Sequence, residues 1–157
     1  MRSIGRLLLA VAAGGAASVG FFRYRADLSR ANAATRGSSI ATTKLGHIEY
    51  AVRGEGTPLL SIHGAGGGFD QGLANAADLI GEGFRVIAPS RFGYLRTPIP
   101  DDASPAAQAD AHAALLAFLK IAKTVVVGVS AGARSAVELA LRHRELMWTP
   151  AAAANSP

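Results

Sequence analysis

Cysteine is absent from this chain of 157 residues, which removes disulfides, thiolate metal sites and cysteine nucleophiles while leaving the compartment undetermined. Charged residues amount to only 17% against 50% hydrophobic, so wholesale disorder is excluded and one domain of ordinary size with a real core is expected. No Gly-Lys-Ser/Thr closes a glycine loop, as a phosphate-cradling Walker motif requires. A dinucleotide fingerprint beginning at Gly64 fails at its last position, which holds Phe69. No cofactor and no metal ion is expected. One further absence bears on catalysis: the 27 residues after Ser130 contain no aspartate and a single histidine, His143.

The net charge of +5 is localised rather than general. Arg2, Arg6, Arg23, Arg25, Arg30 and Arg36 face only Asp27 in the first 36 residues, whereas ten basic and ten acidic residues cancel from residue 37 onward. With no basic-aromatic stripe, the pattern argues against nucleic-acid binding. Leu7 to Phe22 is uncharged and flanked by arginines on both sides. As a helix it is roughly 24 Å long, close to the ~30 Å of a hydrocarbon core once flanking arginines snorkel. Residues 1–25 are expected to be a membrane anchor, with Phe21, Phe22 and Tyr24 at an interface. A cleaved signal that leaves a secreted or periplasmic protein, and a soluble Ala/Gly-rich helix, remain as alternatives. Residues 26–43 read as a linker.

From Lys44 the pattern is that of an α/β domain, residues 44–146, with a mainly parallel sheet and flanking helices. His47 to Arg53 alternates as a half-exposed strand, Gly54 to Pro58 turns, and Leu59 to Ile62 is a short buried strand closing an opening hairpin. A helix is expected from Gly72 to Ile80, a strand from Phe84 to Ala88, and a helix from Pro105 to about Lys120 with Ser104 as N-cap. Leu115, Leu116, Phe118 and Leu119 give that helix its apolar side. A strand from Thr124 and a helix from Ala131 to His143 follow, the helix carrying Ala133, Ala136, Val137, Ala140 and Leu141 as its core-facing stripe. Residues 147–157 hold two prolines and no β-branched run, and are expected to be irregular. That leaves a sheet edge exposed to self-association.

Two glycine-rich segments end strands and should share the carboxyl edge of the sheet, where α/β folds bind ligands. Gly128-Val129-Ser130-Ala131-Gly132 follows a β-branched run and precedes a helix, the setting of a nucleophile elbow. Ser130 is the candidate attacking group and the Ala131 N–H an oxyanion donor. The loop His63-Gly64-Ala65-Gly66-Gly67-Gly68 offers a second donor from Ala65 or Gly66. His63 either braces this loop or, if it reaches Ser130, acts as a surrogate base. His143 sits too far along its helix, ~20 Å from Ser130. His112 and His47 read as surface or packing residues. Asp70, Asp101, Asp102 and Asp110 precede the elbow and read as surface or cap residues.

On these residues the chain resembles the first half of the α/β-hydrolase fold. His63-Gly64-Ala65-Gly66-Gly67 is similar to the family's His-Gly oxyanion loop, and Gly128 to Gly132 to its nucleophile turn. Ser90-Arg91-Phe92-Gly93 is similar to its Asp-x-x-Gly segment, with serine in place of aspartate. The resemblance implies Ser130 as nucleophile, Ala131 with Ala65 as oxyanion donors, and a carboxylate and histidine after later strands that this chain does not reach. It implies a hydrolase of ester-like or related small substrates, impaired by an incomplete triad. A membrane-tethered binding module or a gene fragment is the alternative. A dehalogenase or epoxide hydrolase is disfavoured, because those resemblances place aspartate at position 130.

Overall fold

The computed structural model describes Phe21 and residues 36–79 and 82–148. The anchor or signal segment and most of the linker lie outside the described residues, as does the tail beyond Trp148. No helix among the described residues is long and apolar enough to cross a membrane.

Five strands form one mixed sheet: β1 (Ser39–Thr43), β2 (Gly46–Arg53), β3 (Thr57–Ile62), β4 (Phe84–Pro89) and β5 (Val125–Gly128), in the spatial order β1-β2-β4-β3-β5. The centre is parallel, β3 pairing with β4 from Thr57↔Phe84 and with β5 from Leu59↔Val125. The flank is antiparallel, with β2 between β1 and β4. Two expectations change. Ser39–Thr43, assigned to the linker, is β1 and closes the hairpin with β2. β2 does not pair with β3, because β4 lies between them, and Gly54 to Thr57 instead crosses the end of β4. The residues there allow it: a Cβ on Gly54 would lie 2.5 Å from the Phe84 carbonyl oxygen, and Thr57 N donates to the Gly83 carbonyl.

The parallel centre is covered on both faces, which is why β3 reads as a continuous apolar run rather than an alternation. Helix α1 (Phe69–Leu79) packs on one face, where Phe69 and Leu73 bury against Ala51 and Ala88. Gly72 is the contact point: a Cβ there would lie 2.8 Å from the Ser61 carbonyl oxygen, and Ser61 Oγ donates to the Gly72 carbonyl. Helices α2 (Pro105–Phe118) and α3 (Ala133–Arg142) cover the other face, enclosing Ile48, Leu60, Ile62, Ile87, Leu115, Leu116 and Leu139. Ser104 caps α2 as expected, its Oγ accepting from Ala107 N.

The apolar stripes are less simple than their spacing suggests. Phe118 on α2 is half exposed. On α3 the buried residues are Ser135 and Leu139, whereas Val137 and Leu141 are 59% and 57% exposed. Spacing marks an apolar stripe but not the neighbour that covers it. Ala136, Val137 and Ala140 border an open trough with Val125, Val126, Met147 and Trp148 along the outer edge of β5. That edge is not bare throughout. Met147 forms a parallel bridge with Thr124, with Thr124 N donating to the Leu146 carbonyl and Trp148 N to the Thr124 carbonyl. The expected irregular tail therefore begins with sheet pairing at residues 146–148. A bridge of this kind needs only backbone donors and acceptors, so the missing β-branched run did not prevent it.

Alternation along β2 breaks at Glu49, expected on a solvated face but fully buried. Its Oε1 accepts from Ser38 Oγ and Arg96 Nε, and its Oε2 from Ser90 Oγ and Arg96 N. Burial alone would raise this carboxyl, but the bonds from Arg96, Ser38 and Ser90 outweigh it and hold the group below the ordinary carboxylate range. A depressed folded value means the stabilisation is complete above the ordinary carboxylate pKa and fades as pH falls through the folded one. Glu49→Gln is therefore expected to lower stability by about 2–4 kcal/mol at pH 7. The gap from wild type should narrow below about pH 4, measured by denaturant titration at stepped pH.

Candidate active site

The carboxyl ends of β3 and β5 lie side by side, and their pairing runs past both strands: Val129 N donates to the Ile62 carbonyl at 3.0 Å. The chain then turns through one 3-10 turn, Ser130–Gly132, into α3. Ser130 stands at the start of that turn with φ of +51°, a left-handed conformation that disfavours a residue with a Cβ. This is the strained strand-to-helix turn expected at position 130, with an exposed side chain.

Both glycines of the motif are explained by close approach. A Cβ on Gly128 would lie 2.7 Å from Ala136 Cβ and 2.8 Å from Ala133 Cα, so the small residue lets α3 settle on β5. A Cβ on Gly132 would lie 2.5 Å from the His63 carbonyl oxygen and 2.6 Å from that of Ile62. The second glycine thus lets the turn seat against the end of β3. At Gly64 the corresponding point is 3.4 Å from Ser130 Cβ, which brings the glycine loop into contact with the serine. The Ala65 and Gly66 N–H groups that follow have no hydrogen-bond partner among the described residues.

His63 does not reach Ser130 as a base. Its ring is fully buried, and Nε2 accepts from Arg91 N at 2.9 Å. An amide N–H can only donate, so the imidazole proton must sit on Nδ1, which donates to the Gly64 carbonyl at 2.7 Å. The single basic nitrogen is already occupied. The ring also stacks edge-on against Tyr94 at 4.7 Å, and burial pushes its pKa down to about 4. Of the two roles open to His63, the bracing one matches these contacts.

The other histidines are also engaged elsewhere. His112 is fully buried in α2, with Nε2 3.5 Å from Ser135 Oγ, and burial pushes its pKa down to about 3. His47 is exposed and bonds Thr42. His143 caps the far end of α3 and contacts Asp110 at 2.8 Å. Asp102 and Asp70 bond the backbone N–H groups of Ser104 and Gly68 as local caps. Ser130 Oγ makes no hydrogen bond to any described residue. No cluster of potential metal ligands occurs among the described residues.

Several contributors were not visible in the sequence. Gln71 lies beneath the glycine loop, a Cβ on Gly66 falling 2.9 Å from its Nε2, and its Oε1 is buried without a partner. Glu49 supplies, through Ser90, a carboxylate to the loop that departs from the family pattern at position 90. Ser90 Oγ in turn accepts from Phe69 N at the start of α1. The polar character of Glu49 was legible, but its burial depends on β4 and Arg96, both distant in sequence.

Residues 59–157 match the alpha/beta hydrolase family. An uncharacterized hydrolase, YcgS of Bacillus subtilis (strain 168), is 36% identical over 104 residues, which is 66% of this chain and 36% of that protein. An alpha/beta hydrolase fold protein from Nakamurella multipartita superposes with a TM-score of 0.63 at 35% identity, covering 70% of this chain and 38% of its own. The N-acyl homoserine lactonase AidH, complexed with N-butanoyl homoserine, gives 0.59 at 33% identity, covering 69% and 42%. In each case this chain spans well under half of its relative.

Two outcomes follow from this geometry. Ser130→Gly, which removes the Cβ from a left-handed backbone, is expected to stabilise the fold by about 1 kcal/mol, whereas Ser130→Ala leaves it unchanged; thermal melts of the pair read the difference. The folded pKa values of His63 and His112, about 4 and about 3, lie below the ordinary histidine value. Their stabilisation is complete above about pH 6.5 and declines as pH falls, because the unfolded chain then binds protons the native one refuses. Near pH 5 the stability should fall with a slope approaching two protons, reduced to about one in His63→Gln, measured by denaturant titration.

Proposed function

The chain belongs to the alpha/beta hydrolase family, and from that membership we propose that Ser130 is the nucleophile of an acyl-transfer site acting on an ester-like or related small substrate. The observation that carries this reading is the +51° φ of Ser130 on a turn seated against Gly64. A strained turn keeps the hydroxyl out of the helix and in front of two sets of backbone donors. Attack of Oγ on a carbonyl carbon would place negative charge on the carbonyl oxygen, and the N–H groups of Ala131 and of Ala65 or Gly66 are the donors proposed to receive it. The lactonase among the structural relatives, itself an acyl-transfer enzyme by name, supports the substrate class.

The hydroxyl proton needs an acceptor. The family resemblance implies a carboxylate and a histidine after later strands. Among the described residues beyond the elbow there is no aspartate, and the one histidine is hydrogen-bonded to Asp110. In this reading the described residues supply the nucleophile and the oxyanion donors, and none of them accepts the hydroxyl proton. An oxyanion hole retains some catalysis without the other triad members.

A fluorophosphonate probe tests the reading. Labelling is expected at Ser130, to vanish in Ser130→Ala, and to show no inflection near the ordinary histidine pKa, because no described imidazole contacts the serine. No labelling in a sample that melts cooperatively would sink the proposal and favour a non-catalytic binding module.

A further inference from the structure

Beside the elbow lies a concavity whose lining does not include Ser130. It measures about 270 Å³ and is bounded by Arg91 and Phe92 after β4, Pro105 and Gln108 at the start of α2, and Ala131 and Arg134 at the start of α3. Ala131 adjoins Ser130 in the chain, so the cavity opens next to the proposed oxyanion site. Its polar side chains are Arg91, Gln108, Arg134 and Ser135, and the Ser135 hydroxyl is spent on the Gly132 carbonyl. Arg91 Nε is buried with no partner. The Arg134 guanidinium has no ion pair or hydrogen bond among the described residues. Gln108 spends its Oε1 on Phe92 N, leaving its amide donors free. Asp110, on the same helix as Gln108, is tied to Arg142 and His143 and does not line the cavity. Two arginines lining one small space, neither paired with a carboxylate among the described residues, and no carboxylate in its wall, make the cavity a candidate anion site.

We infer that this cavity binds the carboxylate of the substrate, and that the chain's preferred substrates are short acyl esters or lactones bearing a carboxylate a few carbons from the reacting carbonyl. The inference rests on the hydrolase reading for the reacting end only. Arginine forks match a planar carboxylate in two parallel hydrogen bonds. The volume, below that of typical drug-sized pockets, suits a short chain rather than a bulky anion.

Glutarate, a dicarboxylate that cannot be hydrolysed, tests the site without chemistry. Calorimetric titration into the full chain carrying Ser130→Ala should show binding that weakens at least tenfold in Arg134→Met and declines with added salt. Dimethyl glutarate should bind more weakly and show no Arg134 dependence. Arg91 also stacks over the Tyr94 ring at 5.1 Å, so the exposed, unpaired Arg134 is the decisive variant and Arg91→Met the second. Glutarate affinity unchanged by both substitutions overturns the inference, and so does tighter binding of inorganic phosphate than of glutarate. Arginine-dependent glutarate binding without fluorophosphonate labelling would keep this subsite and remove the nucleophile reading. Labelling without such binding would do the reverse.

Discussion

The arrangement of the site depends on one buried charge. Glu49 lies on a strand at the flank of the sheet, yet it receives hydrogen bonds from Ser38, Ser90 and both backbone and side chain of Arg96. Those partners lie at the start of β1 and along the loop after β4. The same loop delivers Arg91 N to His63 and Phe92 N to Gln108, so it sets the His63 ring and the start of α2 together. A carboxylate buried without partners is severely destabilising, which makes this constellation nearly all-or-none. It also holds Ser90, the position at which the resemblance to the Asp-x-x-Gly segment breaks. Ser90 Oγ donates to Glu49 on the neighbouring strand and accepts from Phe69 N.

Local signals carried the reading of the chain furthest where the physics is local. The N-cap at Ser104, the glycine pair around Ser130 and the buried run of β3 each depend on a few adjacent residues, and each stands in the structure as its pattern implied. What required distant partners was not legible. Ser39–Thr43 looks like linker because its support, the β2 ladder and the core around Ala41, comes from other elements. Glu49 looks solvated because Arg96 is 47 residues away. The α3 stripe looks like core because periodicity reports an apolar face without saying what lies opposite. The strained turn at Ser130 and the glycine loop beside it were legible, but not the placement of Gln71, Arg91 or Arg134, which depends on how separate elements pack.

His63 illustrates how an apparent catalytic residue becomes structural. The residue type and its place at a strand end both suited a base near a serine. One backbone N–H, that of Arg91, decides otherwise by occupying the only lone pair available. The ring then serves as a strut between the glycine loop and the loop after β4, with Tyr94 in T-shaped contact. Rigidity of this kind suits the oxyanion donors proposed at Ala65 or Gly66, since donors that must reorient lose most of their advantage.

The strand order carries a consequence for how the chain is made. β3 sits at the middle of the parallel centre, but both of its neighbours, β4 and β5, come later in the sequence. During synthesis from the N-terminus, Leu59, Leu60 and Ile62 emerge from the ribosome long before anything can pair with them. The hairpin of β1 and β2 can close early, but the apolar strand must wait until Val125–Gly128 is out before both its edges are satisfied. That delay is a window for chaperone capture or misassembly, set by topology rather than by composition.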